Sequence, residues 1–456
     1  MKLATIHLSD HFTYRKILRF TLSPILMMFF TSIYWIVDGF FISNYISTSA
    51  FAGVNLIFPV IMVVACVGFM FGSGGAALVS KYLGEGNKEK ANQIFSLITY
   101  VTFISGIILT AVFFFLIKPI TIAFANLNSV QTTEEMIDAA TLYGRIMTGG
   151  VSIYIMQLYY HSFFSVNEKN FIGFLFTLVA GVLNMFLDYL LIGIFGLGVV
   201  GAAAASLSGM LLGFIGPTLY FRFSKTNLIR LGKPCFDIKA ILKSITNGSS
   251  EFVSNISGSI INIVFNIQLL KYIGENGVSA YGIIAYVCFV FFAIYIGYSV
   301  GISPVIAYNL GAKNHEEMSN VLRKSFVIIF VTSIFMTVLA IAFADSISYI
   351  FTNMDEELHQ ISTRAMKIYS ICYLFVGFSM FGSNFFTALN NGIISALISF
   401  CRTLVFQLIA VFALPLIMGI DGIWVSILVA EFLSMIMTII LIYLLRRKYG
   451  YKFIRH

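Results

Sequence analysis

Four acidic residues interrupt otherwise apolar stretches of this 456-residue sequence, at Asp38, Asp188, Glu251 and Glu431. The other 16 acidic residues lie in polar segments or at the ends of predicted helices. A carboxylate near the centre of a bilayer costs about 3 kcal/mol or more, so each of the four needs a partner, a proton or a water-filled cavity. They are therefore either sites of ion binding and proton transfer or structural acids that join helices.

Asp38 and Asp188 belong to a group of polar side chains predicted to lie at one depth. Each lies about five residues inside the outer end of its apolar segment, and Asn184 shares the helical face of Asp188 because it precedes it by one turn. Tyr143 and Ser206 reach similar depths in neighbouring segments at about 1.5 Å per residue. Two carboxylates, an amide and two hydroxyls form either a hard-oxygen site for Na⁺ or a coupled carboxyl pair that holds one proton.

Glu251 begins a polar stripe with Asn255, Ser259, Asn262 and Asn266. Steps of four, four, three and four residues place these side chains on one helical face. The rest of that segment is apolar, so the polar face must look into protein or water. Glu251, Asn255 and Asn262 are the residues we expect to line a substrate cavity.

Glu431 has weaker support as a functional acid. Sliding the sequence on itself places Leu207, which carries no charge, at its counterpart. The alternative is a structural acid paired with Arg402, and both interpretations stay open.

The composition identifies the elements that must position these residues. Hydrophobic residues make up 59% of the chain and charged residues 11%, against roughly 45–50% and about 25% in soluble globular proteins. Apolar runs near or above the roughly 20 residues that cross a bilayer predict an all-α polytopic membrane protein. The twelve predicted spans are residues 17–43, 51–79, 93–118, 137–164, 171–193, 199–221, 242–270, 278–308, 321–345, 365–389, 394–418 and 423–445.

The distribution of basic residues predicts the orientation. With the N-terminus inside, 23 of the 28 Lys and Arg residues fall on the inner face, and cytoplasmic loops retain such residues. Both termini are therefore expected in the cytoplasm. The net charge of +8 then reflects membrane topology and gives no indication of a nucleic-acid partner. The polar first twenty residues argue against a cleaved signal peptide.

An internal repeat divides the chain. When the sequence is shifted on itself so that Tyr45 falls on Tyr272, the segment from Gly74 also falls on that from Gly301. Two six-helix lobes with the same orientation are parallel repeats, related by an axis along the membrane normal. Such repeats favour a transporter whose cavity lies between the lobes. The predicted divisions are an N-lobe at 1–222, a cytoplasmic linker at 223–243 and a C-lobe at 244–456.

Several motifs of enzymes fail on context, so the chain is not expected to be an enzyme. Gly196-x-Gly198-x-x-Gly201 lies between two spans and indicates a tight turn with close helix packing instead of a dinucleotide site. The Gly-rich run at Gly74 lacks the ending of a phosphate-binding loop. The five cysteines form no CxxC pair and are expected as small core residues.

Several of these segments together resemble the multidrug and toxic compound extrusion (MATE) family. They include "VDGFFIS", "LNMFLDYLLIGIFGLGVVGAAAAS", "GSSEFVSN", "GISPVIAYNLGA" and "TALNNGIISALISFCRTLVF". The resemblance implies a cation site in the N-lobe formed by Asp38, Asn184, Asp188 and Ser206, with a backbone carbonyl expected at Ala202. The family usually has Thr where Ser206 stands. The resemblance also implies that the acid of the seventh helix, Glu251, faces the central cavity.

The sequence therefore predicts a secondary active multidrug efflux transporter of the plasma or inner membrane. Drug export, mainly of amphiphilic organic cations, would be coupled to H⁺ or to Na⁺ entry. In the Na⁺ case Asp38, Asn184 and Asp188 are the expected metal ligands. No cofactor is expected, and a monomer is the default. The alternative is a flippase for lipid-linked saccharide or lipid, whose cavity would carry several basic residues, whereas Arg145 and Arg402 are the only ones predicted within spans. A channel or receptor is a more distant alternative.

Overall fold

The apolar runs form long α-helices in this computed structural model, which describes residues 6–127, 133–352 and 355–452. Within these ranges there is no β-strand. Short π segments cover Tyr189–Ile194 and Cys401–Val405, and a 3₁₀ turn covers Ser370–Cys372. The helices are α1 (Tyr14–Tyr45), α2 (Thr48–Gly84), α3 (Lys88–Leu127), α4 (Glu134–Gly149), α5 (Val151–Val166), α6 (Asn170–Asp188), α7 (Gly198–Phe223), α8 (Ile238–Tyr272), α9 (Glu275–Gly311), α10 (His315–Thr352), α11 (Glu356–Tyr369), α12 (Tyr373–Ala388), α13 (Gly392–Phe400), α14 (Phe406–Ala413), α15 (Pro415–Met418) and α16 (Ile420–Tyr449).

The prediction of an all-α, multi-pass membrane protein is confirmed. Within the described ranges, ten helical runs are long and apolar enough to cross a membrane, and α11 with α12 forms an eleventh that bends by 49° at the 3₁₀ turn. The predicted fourth span corresponds to α4 and α5, which meet at Gly150. Two of the twelve spans are therefore broken where continuous helices were predicted. At Gly150 two successive glycines weaken the helix, and a Cβ there would collide with the Leu207 side chain of α7.

Several helices begin at a polar residue whose side chain accepts a hydrogen bond from the backbone N–H three residues later. Thr13 does this for α1, Ser47 for α2 and Asp237 for α8. Such caps satisfy one of the backbone donors that every helix start leaves unpaired. They fix where each span enters the apolar layer, and hence the depth of the polar residues inside it.

The helices pack as two lobes, which we call the N-lobe (α1–α7) and the C-lobe (α8–α16). Each lobe has an apolar core of its own, centred on Tyr143 and Ile155 in the N-lobe and on Tyr373 and Trp424 in the C-lobe. The lobes meet where α1 packs on α9 and where α2 packs on α8 and α9.

A seam of glycines joins the lobes near the side where α1 begins and α16 ends, here called the terminal face. A Cβ at Gly84 would collide with the carbonyl oxygen of Tyr308, and a Cβ at Gly311 with that of Lys81. In the internal repeat Gly84 aligns with Gly311. The residues that they touch also align, because Lys81 corresponds to Tyr308. Glycine is needed here because the two backbones touch, and any larger residue would force the lobes apart.

The contacts between the lobes continue toward the opposite side, here called the far face, as far as mid-height. The seam continues up α2 and α8, where a Cβ at Gly74 would collide with the Ser244 carbonyl. Ser32 then donates a hydrogen bond of 3.4 Å to the Phe289 carbonyl near mid-height. Beyond that level Asn262 is exposed on its helix. These contacts between the lobes thus extend from the terminal face to mid-height, and we call the region between α1, α2, α8 and α9 beyond them the central cleft.

Candidate cation site and central cleft

Close helix packing brings the two acids of the N-lobe toward each other. Gly181 of α6 lies against the Tyr34 ring of α1, where a Cβ would stand 3.2 Å from the ring. Asp38 lies one turn beyond Tyr34, and Asp188 is the last residue of α6 before the π segment Tyr189–Ile194. Single π turns inside helices often occur at functional sites because they redirect a side chain.

The structure places Asp38, Asn184, Asp188 and Ser206 in one buried group, as their predicted depths suggested. The exposed fraction of each is 5% or less. Asn184 Nδ2 donates to Ser206 Oγ at 3.4 Å, and Ser206 Oγ donates to Asp38 Oδ1 at 3.5 Å. Both hydrogen bonds are long, so the group is held together loosely by its own contacts.

Several oxygen atoms in this group have no hydrogen-bond partner among the described residues. They include both carboxyl oxygens of Asp188, the Oδ1 of Asn184 and the hydroxyl of Tyr143. Tyr143 faces both carboxyls and Ser206. A buried polar atom without a partner costs about 1–3 kcal/mol, and more if it is charged. This arrangement suits the binding of a proton or a small hard cation.

None of the ion pairs among the described residues involves Asp38 or Asp188. Ala202 is buried one turn before Ser206 in α7. Its predicted part as a carbonyl ligand, like the roles of the four side chains, stays a prediction.

Two further polar residues adjoin the site and were missed at the sequence level. Tyr34 faces Asp38 and the Gln157 side chain of α5. Gln157 is buried, and its Oε1 has no partner in the described ranges. An amide within the apolar run "VSIYIMQLYYHSFF" was the available signal for Gln157, whereas nothing in the sequence distinguishes Tyr34 from other tyrosines.

Glu251 lies close to the last tight contact between α8 and α2, at the level where the central cleft begins. Gly248, one turn earlier, touches the Met70 backbone. Glu251 is half-buried and faces Cys66 of α2 and Asn384 of α12. Asn384 is a third residue that sequence reasoning missed.

Other residues of the polar stripe form hydrogen bonds with one another. Asn255 Nδ2 donates to the Glu251 carbonyl at 2.8 Å, and Asn266 Nδ2 donates to Asn262 Oδ1 at 3.0 Å. Ser259 Oγ donates to the Asn255 carbonyl at 3.1 Å. Asn262 lies on the exposed side of α8, so of the two predicted amides it is the better placed to meet a ligand.

Glu431 is paired with Arg402 inside the C-lobe. The Nε of Arg402 donates to both carboxyl oxygens of Glu431, at 3.0 and 2.9 Å. The side chains are 8% and 1% exposed, respectively. Of the two interpretations of Glu431, the paired acid is the one that the structure contains.

The family model MatE matches this chain over residues 24–190 and 238–412, which cover most of both lobes. The chain belongs to the MatE family. It is 23% identical to the multidrug export protein MepA of Staphylococcus haemolyticus over 437 residues, covering 95% of this chain and 94% of that protein. It is 24% identical to the MepA protein of Staphylococcus saprophyticus over 439 residues, with the same coverage.

Solved structures have the same fold. A crystal structure of MATE in complex with MaL6 matches with a TM-score of 0.90 and 19% identity, covering 96% of this chain and 98% of that chain. An outward-facing conformation of a multidrug resistance MATE family transporter matches with a TM-score of 0.89 and 21% identity, covering 96% and 97%. This MatE protein is therefore a member of a multidrug efflux transporter family with the two-lobe fold.

Proposed function

We propose that this MatE protein exports amphiphilic organic cations by exchanging them for H⁺ or Na⁺ at the Asp38–Asp188 site. The observation that carries the proposal is the set of buried oxygens without partners in the described part of the N-lobe. Two neighbouring carboxyls without a cation are costly when both are charged, so they attract either a proton or a metal ion. A site of this kind changes its net charge each time an ion arrives or leaves.

Ion binding can drive transport only if the site has different affinities in the two conformations of the protein. The lobes are in backbone contact at the terminal face, and the proposed mechanism takes the central cleft to be accessible from the far face. An ion arriving from the far face would bring the donors of α1, α6 and α7 together, and tighten the long hydrogen bonds at Ser206. The resulting shift of α1 within the N-lobe would reach the cleft directly, because α1 also packs on α9 of the C-lobe.

The terminal face is proposed to be cytoplasmic. The excess of Lys and Arg in the segments on this side supports that orientation. It places both termini inside and the open cleft outside, in the plasma or inner membrane. The cleft then faces the compartment into which drugs are released and from which the coupling ion enters.

Glu251 is proposed to bind the cationic group of the substrate. It lies one turn beyond the tight contact between Gly248 and α2, with Asn262 further along the same helical face. A carboxylate beside apolar and aromatic walls suits amphiphilic cations, because it supplies one charge while most of the contact area stays apolar. No cofactor is required for this exchange, and one chain contains both the ion site and the cleft.

The test uses purified protein in liposomes loaded with ethidium. A Na⁺ gradient and a pH gradient are imposed in separate experiments, and loss of ethidium from the lumen is followed by fluorescence. We expect one gradient to drive transport several-fold above the rate without a gradient. Asp138→Asn, which neutralises an exposed acid of α4, serves as the matched control and should transport like the parent protein. Transport that responds to neither gradient would contradict the antiport model.

The flippase alternative finds little support in the cleft. A lipid-linked phosphate needs several positive charges, but Arg402 already neutralises Glu431. Arg145 is exposed on α4. The cleft therefore favours cations over phosphates.

A further inference from the structure

The N-terminal arm, residues 6–13, lies at the terminal face just before α1 begins. Its first described residues contact Glu168, which lies in the turn between α5 and α6 of the N-lobe. His7 Nδ1 lies 2.7 Å from Glu168 Oε2, and the Leu8 N–H donates to Glu168 Oε1 at 2.7 Å. A ring nitrogen and a backbone donor therefore hold both oxygens of one carboxylate of the N-lobe.

The same contact recurs four residues later, on the C-lobe. His11 Nδ1 lies 2.6 Å from Glu317 Oε2, and the Phe12 N–H donates to Glu317 Oε1 at 2.8 Å. Glu317 lies in the first turn of α10. Lys324 of the same helix donates to the Phe12 carbonyl at 2.7 Å. The arm thus binds one glutamate of each lobe through the same kind of contact.

Both carboxylates are buried at these contacts, whereas the imidazole rings are not. The side chains of Glu168 and Glu317 are 11% and 8% exposed, against 57% and 69% for His7 and His11. A buried carboxylate needs hydrogen-bond donors, and bonds to a charged acceptor are stronger than bonds between neutral groups. The arm supplies two such donors to each glutamate, so each contact contributes to holding the arm in place.

The apolar side chains of the arm pack mainly on the C-lobe. Leu8 and Phe12 are fully buried, in a cluster whose other members come mostly from α9, α10 and α12. The Phe12 ring also meets the Phe20 ring of α1 edge-on, with 5.8 Å between the ring centroids. The arm therefore lies against the C-lobe, although the chain continues from it into α1 of the N-lobe.

From these contacts we infer that the arm is a strap that holds the two lobes together at the terminal face. Its end at Thr13 continues into α1, and Glu168 binds its first residues to the N-lobe as well. Its middle is bound to the C-lobe by Glu317. This inference rests on the proposed export function, because alternating access requires the lobes to separate at this face once in each cycle.

Separation of the lobes at the terminal face must break one of the two carboxylate contacts. If the Glu168 contact holds, Phe12 has to leave its buried position on the C-lobe. If the Glu317 contact holds, the arm stays on the C-lobe and only the Glu168 carboxylate loses its donors. Exposure of apolar side chains to water is unfavourable, so we expect separation to begin at Glu168. The strap then favours the state in which the terminal face is closed.

Distances between the lobes test the strap. Nitroxide labels are attached to Phe223→Cys at the end of α7 and Arg447→Cys in the last turn of α16, two exposed positions in different lobes. The five native cysteines are replaced by alanine. Double electron–electron resonance in lipid nanodiscs then reports the distribution of distances between the labels.

We expect the equilibrium between the shorter and the longer distance to shift toward the longer one in Glu168→Ala and in Glu317→Ala. The shift should be about tenfold in each variant, because each loses a pair of hydrogen bonds to a charged group. The side chain of alanine accepts no hydrogen bond, so the arm is released from one lobe at a time. Gel filtration checks that each variant is folded.

Two control variants separate the strap from a general loss of negative charge. Glu316→Ala removes the exposed acid that precedes Glu317 in α10. Asp10→Asn breaks the ion pair between Asp10 of the arm and Lys16 of α1. Both controls should keep the distance distribution of the parent protein.

A variant that replaces His7 and His11 by alanine provides an independent check if the glutamate variants fold poorly. It changes two exposed rings, keeps both glutamates and should shift the distribution in the same direction. Parent-like distances in the folded glutamate variants, or in the histidine variant where those do not fold, would overturn the strap. An equal shift in Glu316→Ala would also overturn it.

Ethidium export by the parent protein is measured separately in liposomes. If export is absent while the glutamate variants still shift toward the longer distance, the proposed export function fails and the strap is supported. If the parent exports ethidium and the glutamate variants keep its distances, the strap fails and the export function stands.

Discussion

The two lobes treat buried charge in opposite ways. In the N-lobe, Asp38 and Asp188 lie together without a basic residue, and both oxygens of Asp188 are unpaired within the described ranges. In the C-lobe, Glu431 is fully matched by Arg402. The N-lobe is therefore able to change charge when an ion binds, whereas the charge of the C-lobe pair is fixed. In the proposed mechanism, ion coupling therefore belongs to the N-lobe and substrate selection to the C-lobe.

The internal repeat sharpens the contrast. The alignment that places Tyr45 on Tyr272 also places Asp38 of α1 on Phe265 of α8, which is fully buried in the C-lobe core. The alignment that relates α7 to α16 places Ser206 on Ala430, which is also fully buried. Apolar packing thus occupies the C-lobe positions that correspond to the proposed ligands Asp38 and Ser206.

The largest effect is expected at the unpaired acids. Asp38→Asn and Asp188→Asn should each lower gradient-driven ethidium export by about 100-fold or more, because an amide neither releases a proton nor supplies a full negative charge to a cation. Export from liposomes measures this, and gel filtration checks the fold. Wild-type export by both variants would show that the unpaired acids of the N-lobe do not couple ion binding to export.

The next effect concerns stability in the C-lobe. Glu431→Gln alone leaves Arg402 buried without its charge partner, and breaking such a pair costs about 3–5 kcal/mol. Replacing both residues by leucine should cost much less, because no charge then remains buried. Thermal unfolding in detergent compares the two. A single variant as stable as the double one would show that the pair contributes no fixed charge to the lobe.

The depth of the N-lobe site in the membrane could be predicted from the sequence, but not all of the residues that form it. Counting residues from the ends of the spans brought Asp38, Asn184, Asp188 and Ser206 to one depth, and i, i+4 spacing gave the shared face of Asn184 and Asp188. Gln157 and Asn384 were missed because their positions depend on how each helix is rotated against its neighbours. Depth follows from chain length alone, whereas rotation is set by packing across elements distant in sequence.

The fold also has features that follow from the pattern along the chain and features that depend on contacts between distant segments. Hydrophobic runs and the repeat predicted the spans and the two lobes, since each follows from composition and periodicity along the chain. The break at Gly150 depends on the Leu207 side chain of another helix. The strap formed by His7 and His11 depends on two glutamates that are far away along the chain, Glu168 and Glu317. Contacts of that kind leave no periodic signal.

The smallest effect is expected at Ser206, whose hydroxyl links the two halves of the N-lobe site. Ser206→Ala should weaken the apparent affinity for the coupling ion by about threefold to tenfold, because it removes one neutral hydrogen-bonding group worth about 1 kcal/mol. Ser206→Thr keeps the hydroxyl and should stay within about twofold of the parent. Ala430→Ser is the reciprocal change in the C-lobe. It should leave the ion dependence unchanged, because the C-lobe residue that corresponds to Asp38 is Phe265, which has no carboxylate. The measurement is the ion concentration that gives half-maximal export in liposomes. A change of equal size from the Ala430 variant would show that the C-lobe also senses the ion, and the two lobes would then share coupling.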